Sequence, residues 1–186
     1  MELKYKRLNE SFELSNLDFT DKDGEDYENV QQFIRKYALK HQERNLGITR
    51  VIVSKGNPIG YFTISTSNIQ KDSIDKNVRP FTRTTRIFPA MIIEYFGIDK
   101  NMRDQGIGSK VLKWIIGFGR KNLSRNVGCR YVILFAKRAI QFYAKNGFKI
   151  SEIKGNDDKD SFYLMYRDLF PECVKLDKNS IGPNTT

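Results

Sequence analysis

A glycine-bearing loop between a predicted strand and a predicted helix is the part of the sequence best suited to bind an anion. An apolar run over residues 91–99 leads into a polar segment with Arg103, Gly106 and Gly108, and an amphipathic run follows. Backbone N–H groups in the first turn of a helix lack intrahelical acceptors, and the helix dipole favours negative charge there. Glycine lets a phosphate approach the backbone closely, and arginine offers a forked, permanently charged donor. The segment therefore predicts a phosphate cradle.

The spacing of this loop excludes two common kinds of phosphate-binding loop. It lacks the Gly-Lys-Ser/Thr ending of a Walker A loop, and it does not follow the dinucleotide-binding pattern Gly-x-Gly-x-x-Gly. The competing interpretation is a strand–turn–helix unit whose glycines serve packing alone. Taken by itself, the loop leaves both interpretations open.

The spacing Arg103-x-x-Gly106-x-Gly108 resembles motif A of the GNAT acetyltransferase superfamily, in which this loop holds the pyrophosphate of acetyl-CoA. A second motif of that superfamily, a short helix ending in a Phe-Tyr and Gly-Phe run, resembles residues 142–148. The similarity extends over residues 51–166. It implies an α/β (α+β) fold with a central mixed, largely antiparallel sheet flanked by helices. It also implies acetyl-CoA as the cosubstrate and no metal.

The resemblance indicates which residues would contact acetyl-CoA. The backbone of Phe96, Gly97 and Ile98 would pair with the pantetheine arm like an additional strand, and a glycine suits such a close approach. The loop residues that would hold the pyrophosphate are Arg103, Asp104, Gln105, Gly106, Ile107, Gly108 and Ser109.

Two side chains are candidates for the proton transfers of acetyl transfer to an amine. Tyr143 matches the tyrosine that protonates the departing CoA thiolate in many GNAT enzymes; its alternative role is a core aromatic. Glu94 is the one acid in the strand before the loop and would serve as general base. Its alternative is a strand glutamate paired with Arg or Lys. His41 is less suited as the base, because it lies on the apolar stripe of a predicted helix.

One departure from the family pattern affects the predicted helix before Tyr143. Many GNAT enzymes place an Asn shortly before this tyrosine, whereas residues 137–141 contain none. Contacts between this helix and the cofactor are therefore left open.

Features upstream of the loop resemble the GNAT toxins of toxin–antitoxin pairs, which acetylate the amino group of aminoacyl-tRNA. These features are residues 37–42, a Gly-Tyr-Phe run at 60–62, a basic loop and Phe-Pro at 88–89. The resemblance implies an acceptor amine on charged tRNA, an antitoxin protein as a partner, and a homodimer as a candidate assembly. Acetylation of a protein or small-molecule amine is the alternative activity. An acyl-CoA-binding or antitoxin-binding module is the alternative without catalysis.

Positive charge is concentrated in one part of the chain. The sequence has 32 Lys and Arg against 22 Asp and Glu, a net charge of +10. Residues 76–138 alone carry a net charge of +11, whereas residues 1–25 carry −3. Such a field attracts polyanions, which include nucleic acid, a membrane surface and a multiply phosphorylated cofactor, and it disfavours polyamine acceptors, which are cations. The charge alone does not select among these polyanions, and its alternative role is to keep the chain soluble. The residues predicted to contact nucleic acid are Arg83, Arg86 and Lys121.

Length and composition bound the class of protein. With 186 residues, 39% of them hydrophobic, the chain predicts one GNAT-like domain over residues 1–170 and a polar tail over 171–186. The apolar runs are too short for a membrane span, and the first residues lack the apolar core of a signal peptide. We therefore expect a cytoplasmic protein without membrane association. Cys129, Cys173 and a single histidine predict neither a disulfide framework nor a metal site.

The elements that position these residues follow from hydrophobic periodicity. Apolar residues recur at helical spacing over residues 25–44, which predicts one amphipathic helix. Residues 67–86 lack periodicity and predict a loop. The other predicted elements are a hairpin over 48–54 and 59–66, a strand over 88–99, a helix over 109–122, a strand over 129–135, a short helix over 138–145 and two last strands over 148–153 and 161–166.

Overall fold

A computed structural model describes residues 1–26, 29–80, 84–151 and 162–173. Its strands are β1 (Lys4–Arg7), β2 (Ile48–Ser54), β3 (Asn57–Gln70), β4 (Ile87–Ile98), β5 (Tyr131–Ala136), β6 (Lys149–Ile150) and β7 (Tyr163–Asp168). Its α-helices are α1 (Val30–Lys36), α2 (Ala38–Glu43), α3 (Ile107–Phe118), α4 (Ser124–Asn126) and α5 (Ile140–Lys145).

The strands of the described residues form one seven-stranded sheet in the order β1-β2-β3-β4-β5-β7-β6. The pairs β1–β2, β2–β3, β5–β7 and β6–β7 are antiparallel. The predicted α/β class, a mixed and largely antiparallel sheet flanked by helices, is confirmed. The described residues contain no helix that is long and apolar enough to cross a bilayer.

The chain divides into two compact units. The first comprises Met1–Thr66 and Ile92–Lys113, and the second comprises Ser67–Met91 and Trp114–Thr186. Strands β3 and β4 each contribute one part to either unit. The prediction of a single domain over residues 1–170, followed by a tail, stays a prediction.

A tight hairpin begins the antiparallel ladder of the first unit. Lys55 and Gly56 join β2 to β3 with φ values of 49° and 88°. Positive φ at both central residues matches the right-handed twist of the two strands. Strand β2 has its predicted bounds, whereas β3 continues four residues beyond its predicted end. One apolar cluster in the core of this unit comprises Leu8, Leu14, Leu17, Phe19, Val30, Phe33, Ile34, Ala38, Val51, Val53 and Tyr61.

The predicted single helix over residues 25–44 is wrong in two respects. Glu25 and Asp26 lie outside any helix, because α1 begins at Val30. The structure also interrupts the helix at Tyr37, where φ is −122°, so α1 ends before this residue and α2 starts after it. Tyr37 is 52% exposed, whereas Ala38 and Gln42 turn inward. The Gln42 amide donates to the Leu8 carbonyl at 2.9 Å and accepts from the Thr49 N–H at 3.2 Å. The break therefore buries a polar side chain whose hydrogen bonds are satisfied.

Strand β5 forms the centre of the second unit. Every residue of β5 except Phe135 is buried, as its apolar sequence predicts. The helix predicted over residues 109–122 changes form within its predicted range, because a π-helical turn, Gly119–Leu123, follows α3. Gly119 packs closely there, since a Cβ at this position would lie 3.1 Å from Leu169.

Gly97 in β4 tests how tightly the first unit is packed. A Cβ at this position would lie 2.7 Å from Phe19 Cδ1 and 2.8 Å from Val30 Cγ1, both core side chains. Gly97→Ala should therefore lower the free energy of unfolding by about 1–3 kcal/mol through overpacking. Urea denaturation measures the change. Gly117→Ala is the matched control, because a Cβ on that helical glycine meets nothing within 4 Å. Equal stability of both variants would contradict the prediction.

Candidate functional site

A buried aspartate fixes the chain where it leaves β4. The Asp99 carboxylate accepts hydrogen bonds from the N–H groups of Asn101 and Asp18, each at 2.9 Å. Lys100 donates its N–H to the Asp18 carbonyl at 2.8 Å. The Lys100 ammonium also bonds the Asp18 carboxylate, and this bond, with those from Thr20, lowers the pKa of Asp18. An N-terminal segment is therefore held against the end of β4.

The loop before α3 presents backbone N–H groups without partners. Asp104 and Gly106 adopt left-handed conformations, with φ values of 60° and 71°. The N–H groups of residues 104–109 make no hydrogen bond to any described residue, whereas Lys110 donates to the Gly106 carbonyl at 3.2 Å. A Cβ on Gly106 would meet nothing within 4 Å, so the loop borders open space. Unpaired donors at the start of a twelve-residue helix suit a phosphate anion.

The Arg103 guanidinium contacts the backbone of its own unit. It donates to the carbonyls of Ile98 at 3.1 Å, Thr20 at 2.8 Å and Phe19 at 2.8 Å. These bonds use three of the five N–H groups of an arginine and tie residues 19–20 to the end of β4. The predicted phosphate contact of Arg103 stays a prediction. The described contacts of Arg103 position the loop.

Gly97 and its neighbours lie at the end of β4. The missing side chain of Gly97 makes room for Phe19 and Val30, and its carbonyl faces Gly60 on β3, where a Cβ would lie only 2.4 Å away. Close packing within the unit thus accounts for this glycine. The predicted cofactor contact of the backbone at Phe96, Gly97 and Ile98 is neither supported nor excluded by this packing.

Glu94 lies in a polar cluster of the first unit. The Ser65 hydroxyl donates to Glu94 Oε1 at 2.5 Å, and His41 Nε2 lies 3.6 Å from Glu94 Oε2. No Lys or Arg among the described residues lies within 4 Å of the carboxylate, so the alternative pairing with a Lys or Arg is not seen. Tyr95 follows on β4 and stacks on Phe33 with ring centroids 3.7 Å apart. Burial, and next the charge of Glu94, raise the pKa of Tyr95.

Sequence reasoning missed that His41 and Ser65 accompany Glu94. Helical periodicity places His41 on the apolar stripe of one continuous helix, whereas in the structure a separate helix, α2, starts after Tyr37 and its His41 lies near Glu94. Ser65 lies on β3, and its side chain reaches β4. The signal in the sequence that could have drawn attention to His41 is that it is the single histidine of the chain.

Tyr143 lies in the second unit, on α5, and is buried. Its ring meets Phe142 and Phe148 edge to face, with centroids 5.1 and 5.8 Å away. Gly147 ends the helix in a left-handed conformation, with φ of 81°, and the Phe148 N–H donates to the Tyr143 carbonyl at 3.1 Å. The Gly-Phe run at residues 147–148 therefore has a structural role, because its glycine ends α5 in a left-handed conformation. The aromatic packing fits both the catalytic and the core role of Tyr143.

The two units differ strongly in charge. Among the described residues, the second unit has 13 Lys and Arg against 4 Asp and Glu, and the first has 14 against 12. Arg86 and Lys121 belong to the second unit and are exposed. Arg83 lies outside the described residues. The excess of positive charge therefore lies in the unit that does not contain the loop before α3.

A metal site would need a cluster of suitable ligands. No group of three or more His, Cys, Asp or Glu side chains in the described parts of the chain could hold a metal ion. The two cysteines, Cys129 and Cys173, are free thiols.

Comparison with known proteins identifies a family and a shared fold. Residues 47–150 match the acetyltransferase (GNAT) domain. No curated protein sequence matches the chain. Among solved structures, a bacterial toxin has a TM-score of 0.75 and 14% sequence identity, over 100% of this chain and 99% of that chain.

Two structures of the toxin AtaT are also similar. A variant bound to the C-terminus of the antitoxin AtaR and acetyl-CoA has a TM-score of 0.66 and 15% identity, over 95% of this chain and 97% of that chain. AtaT complexed with acetyl-methionyl-tRNAfMet has a TM-score of 0.67 and 14% identity, over 87% of this chain and 94% of that chain. At these identities the likeness concerns the fold. The domain match covers more than half of the sequence, and the chain therefore belongs to the GNAT acetyltransferase domain family.

Proposed function

We propose that this protein is an acetyl-CoA-dependent N-acetyltransferase that moves an acetyl group to a primary amine. The observation that carries the proposal is the set of N–H groups at residues 104–109, at the start of α3, that have no partner among the described residues, in a chain of the GNAT family. These groups bind the pyrophosphate, and the backbone at Phe96, Gly97 and Ile98 pairs with the pantetheine arm. When bound, acetyl-CoA supplies the acetyl thioester.

A charged side chain in the cradle tests cofactor binding. Gly108→Glu should lower the affinity for acetyl-CoA about a hundredfold or more. The new carboxylate and the pyrophosphate are both negative, and two like charges a few ångströms apart near a protein surface cost several kcal/mol. Isothermal titration calorimetry measures the affinity. Gly117→Glu adds the same side chain to the same helix, in open space, and should bind like the wild type. An unchanged affinity of Gly108→Glu would exclude the loop as the pyrophosphate site.

Glu94 and Tyr143 perform the two proton transfers of the proposed reaction. Glu94 accepts a proton from the acceptor amine, because only the neutral amine is a nucleophile. Tyr143 donates a proton to the thiolate that leaves. The Ser65 hydroxyl donates to Glu94 Oε1 and holds the carboxylate in place.

Removing the phenol of Tyr143 tests its role as the acid. Tyr143→Phe should lower kcat by about 10²–10⁴-fold, since a positioned general acid contributes that much. The ring still packs between Phe142 and Phe148, so acetyl-CoA affinity and thermal stability should stay unchanged. Steady-state kinetics and calorimetry measure both quantities. Turnover equal to the wild type would assign Tyr143 to the aromatic core alone.

The acceptor amine is proposed to belong to an aminoacyl-tRNA. The described residues of the second unit carry nine more positive than negative side chains, whereas those of the first unit carry only two more. The proposed cofactor loop lies in the first unit, so it does not account for the charge of the second. Phosphate neutralisation by Lys and Arg supplies most of the sequence-independent affinity for nucleic acid. The fold shared with AtaT, solved with an acetylated aminoacyl-tRNA and with an antitoxin, supports tRNA as acceptor and an antitoxin as partner.

Charge reversal on the second unit tests the acceptor. The double variant Arg86→Glu, Lys121→Glu should bind charged tRNA more weakly than the wild type. The slope of the logarithm of the binding constant against the logarithm of the salt concentration should become shallower by about 0.7 to 0.9 per lost phosphate contact. Acetyl-CoA affinity should stay the same. Lys4→Glu with Lys6→Glu is the matched control, since both lysines are exposed on β1 of the first unit.

Labelled acetyl-CoA identifies the acceptor directly. The enzyme is mixed with charged tRNA, uncharged tRNA, a polyamine and a peptide with an N-terminal amine. Label on charged tRNA alone supports the proposal. Label on the peptide or the polyamine would replace tRNA by a protein or small-molecule amine and leave the N-acetyltransferase activity standing.

A further inference from the structure

His41 and Glu94 form a histidine–carboxylate pair in the first unit. His41 is the only histidine of the chain, and its Nε2 lies 3.6 Å from Glu94 Oε2. Both side chains are about one-fifth exposed, at 22% and 21%. They come from α2 and β4, fifty-three positions apart in the sequence. The pair therefore depends on the tertiary fold.

Two polar atoms of the pair have no hydrogen-bond partner among the described residues. These atoms are His41 Nδ1 and Glu94 Oε2, and both are buried. A purely structural ion pair would close to hydrogen-bonding distance, because an unsatisfied buried polar atom costs about 1–3 kcal/mol. Catalytic hydrogen bonds, by contrast, are often long before substrate binds. Each member of the pair thus keeps one buried polar atom whose hydrogen-bonding capacity is unused among the described residues.

A glycine next to β2 keeps the space of the pair open. A Cβ on Gly47 would lie 2.9 Å from His41 Cε1 and 3.1 Å from Glu94 Oε2. Any other residue at this position would press against both members at once. The φ of Gly47 is not among the positive ones, so its backbone conformation does not by itself require glycine. The need for glycine here comes from the pair.

The surroundings of the pair contain few other groups that titrate. Phe33 on α1 meets the imidazole edge to face at 5.4 Å, and Ser65 on β3 donates to Glu94 Oε1. Tyr95 on β4 is the titratable neighbour, and its raised pKa keeps the phenol neutral near pH 7.

A carboxylate alone is a weak proton acceptor at neutral pH. An unperturbed glutamate has a pKa of about 4.3 and an unperturbed histidine one of about 6.5. General-base catalysis is most efficient when the accepting group titrates near the working pH. An imidazole that takes the proton over from the carboxylate would supply this property.

We propose that His41 is a positioning residue for the proton transfer, and that it receives through Glu94 the proton lost by the acceptor amine. This inference rests on the proposed function. The acceptor ammonium gives one proton to Glu94, which passes it to His41 Nε2. The neutral amine then forms the C–N bond as the C–S bond breaks, and the thiolate takes a proton from Tyr143. The proton lost by the new amide nitrogen restores Tyr143, and His41 releases its proton to water.

The unique histidine allows a test that needs neither acceptor nor acetyl-CoA. The imidazole of His41 gives one Cε1–H signal in an NMR titration of the whole protein. Its titration curve should change in Glu94→Gln and stay the same in Glu43→Gln. Glu43 is the matched control, because it is an exposed glutamate on the same helix α2. An identical titration curve in the wild type, Glu94→Gln and Glu43→Gln would overturn the proposed interaction between His41 and Glu94.

Kinetics then separates a proton-transfer role from a structural one. The acidic limb of the kcat–pH profile should coincide with the NMR titration of His41. His41→Gln should remove that limb and lower kcat at neutral pH by about ten- to a hundredfold, with unchanged affinity for acetyl-CoA. A wild-type pH profile in His41→Gln would overturn the proposal.

A second variant keeps the test valid if His41→Gln does not fold. Gly47→Ala retains both members of the pair and pushes them with one methyl group, so it should alter the same acidic limb. An unaltered limb would count against the proposal. If NMR shows the coupling but no amine is acetylated, the proposed function fails and the proton transfer fails with it. A missing coupling in an active enzyme overturns the role of His41 alone.

Discussion

The attachment of an N-terminal segment to the end of β4 is the constraint on which the loop before α3 depends. Asp99 accepts from two N–H groups there, and Arg103 donates to three carbonyls. These bonds satisfy the local polar groups on one side of the turn and hold the chain in position. The N–H groups of residues 104–109 are thereby left without partners in the part of the chain that the structure describes. The side chain of Arg103 thus fixes the backbone that surrounds the proposed anion site.

The distribution of charge adds a second constraint, which acts at longer range. The proposed cofactor loop uses N–H groups and a helix dipole, a device that needs few charged side chains. Most of the excess Lys and Arg lies in the second unit, so that excess is not explained by the loop. Long-range fields of this kind raise the rate of association with polyanions rather than specify a fold. The positive charge of the second unit is therefore an argument for an acceptor that is itself a polyanion.

Local patterns predicted most of the fold, whereas contacts between distant residues escaped prediction. Strand β2 and the buried strand β5 follow from their apolar sequences, and the turn before α3 follows from the glycines and polar residues between the two apolar runs. The break at Tyr37 does not follow from the sequence, because the helical periodicity of apolar residues continues through this position. The guanidinium contacts of Arg103 reach residues 83 and 84 positions away, which no local rule indicates. The carboxylate of Glu94 was predicted as a candidate base, but its neighbours His41 and Ser65 were not.

The low identity to structures of the same fold indicates where specificity must reside. A backbone cradle requires only glycines and a helix start, so it places few demands on the side chains of the rest of the sequence. An acceptor is distinguished by side chains, since charged and hydrogen-bonding groups fix which amine can lose its proton and attack. In the proposed reaction, His41, Ser65 and Glu94, on α2, β3 and β4, supply such side chains. Under the proposed function, the backbone at the start of α3 serves the cofactor, and these three residues with the basic second unit select the amine.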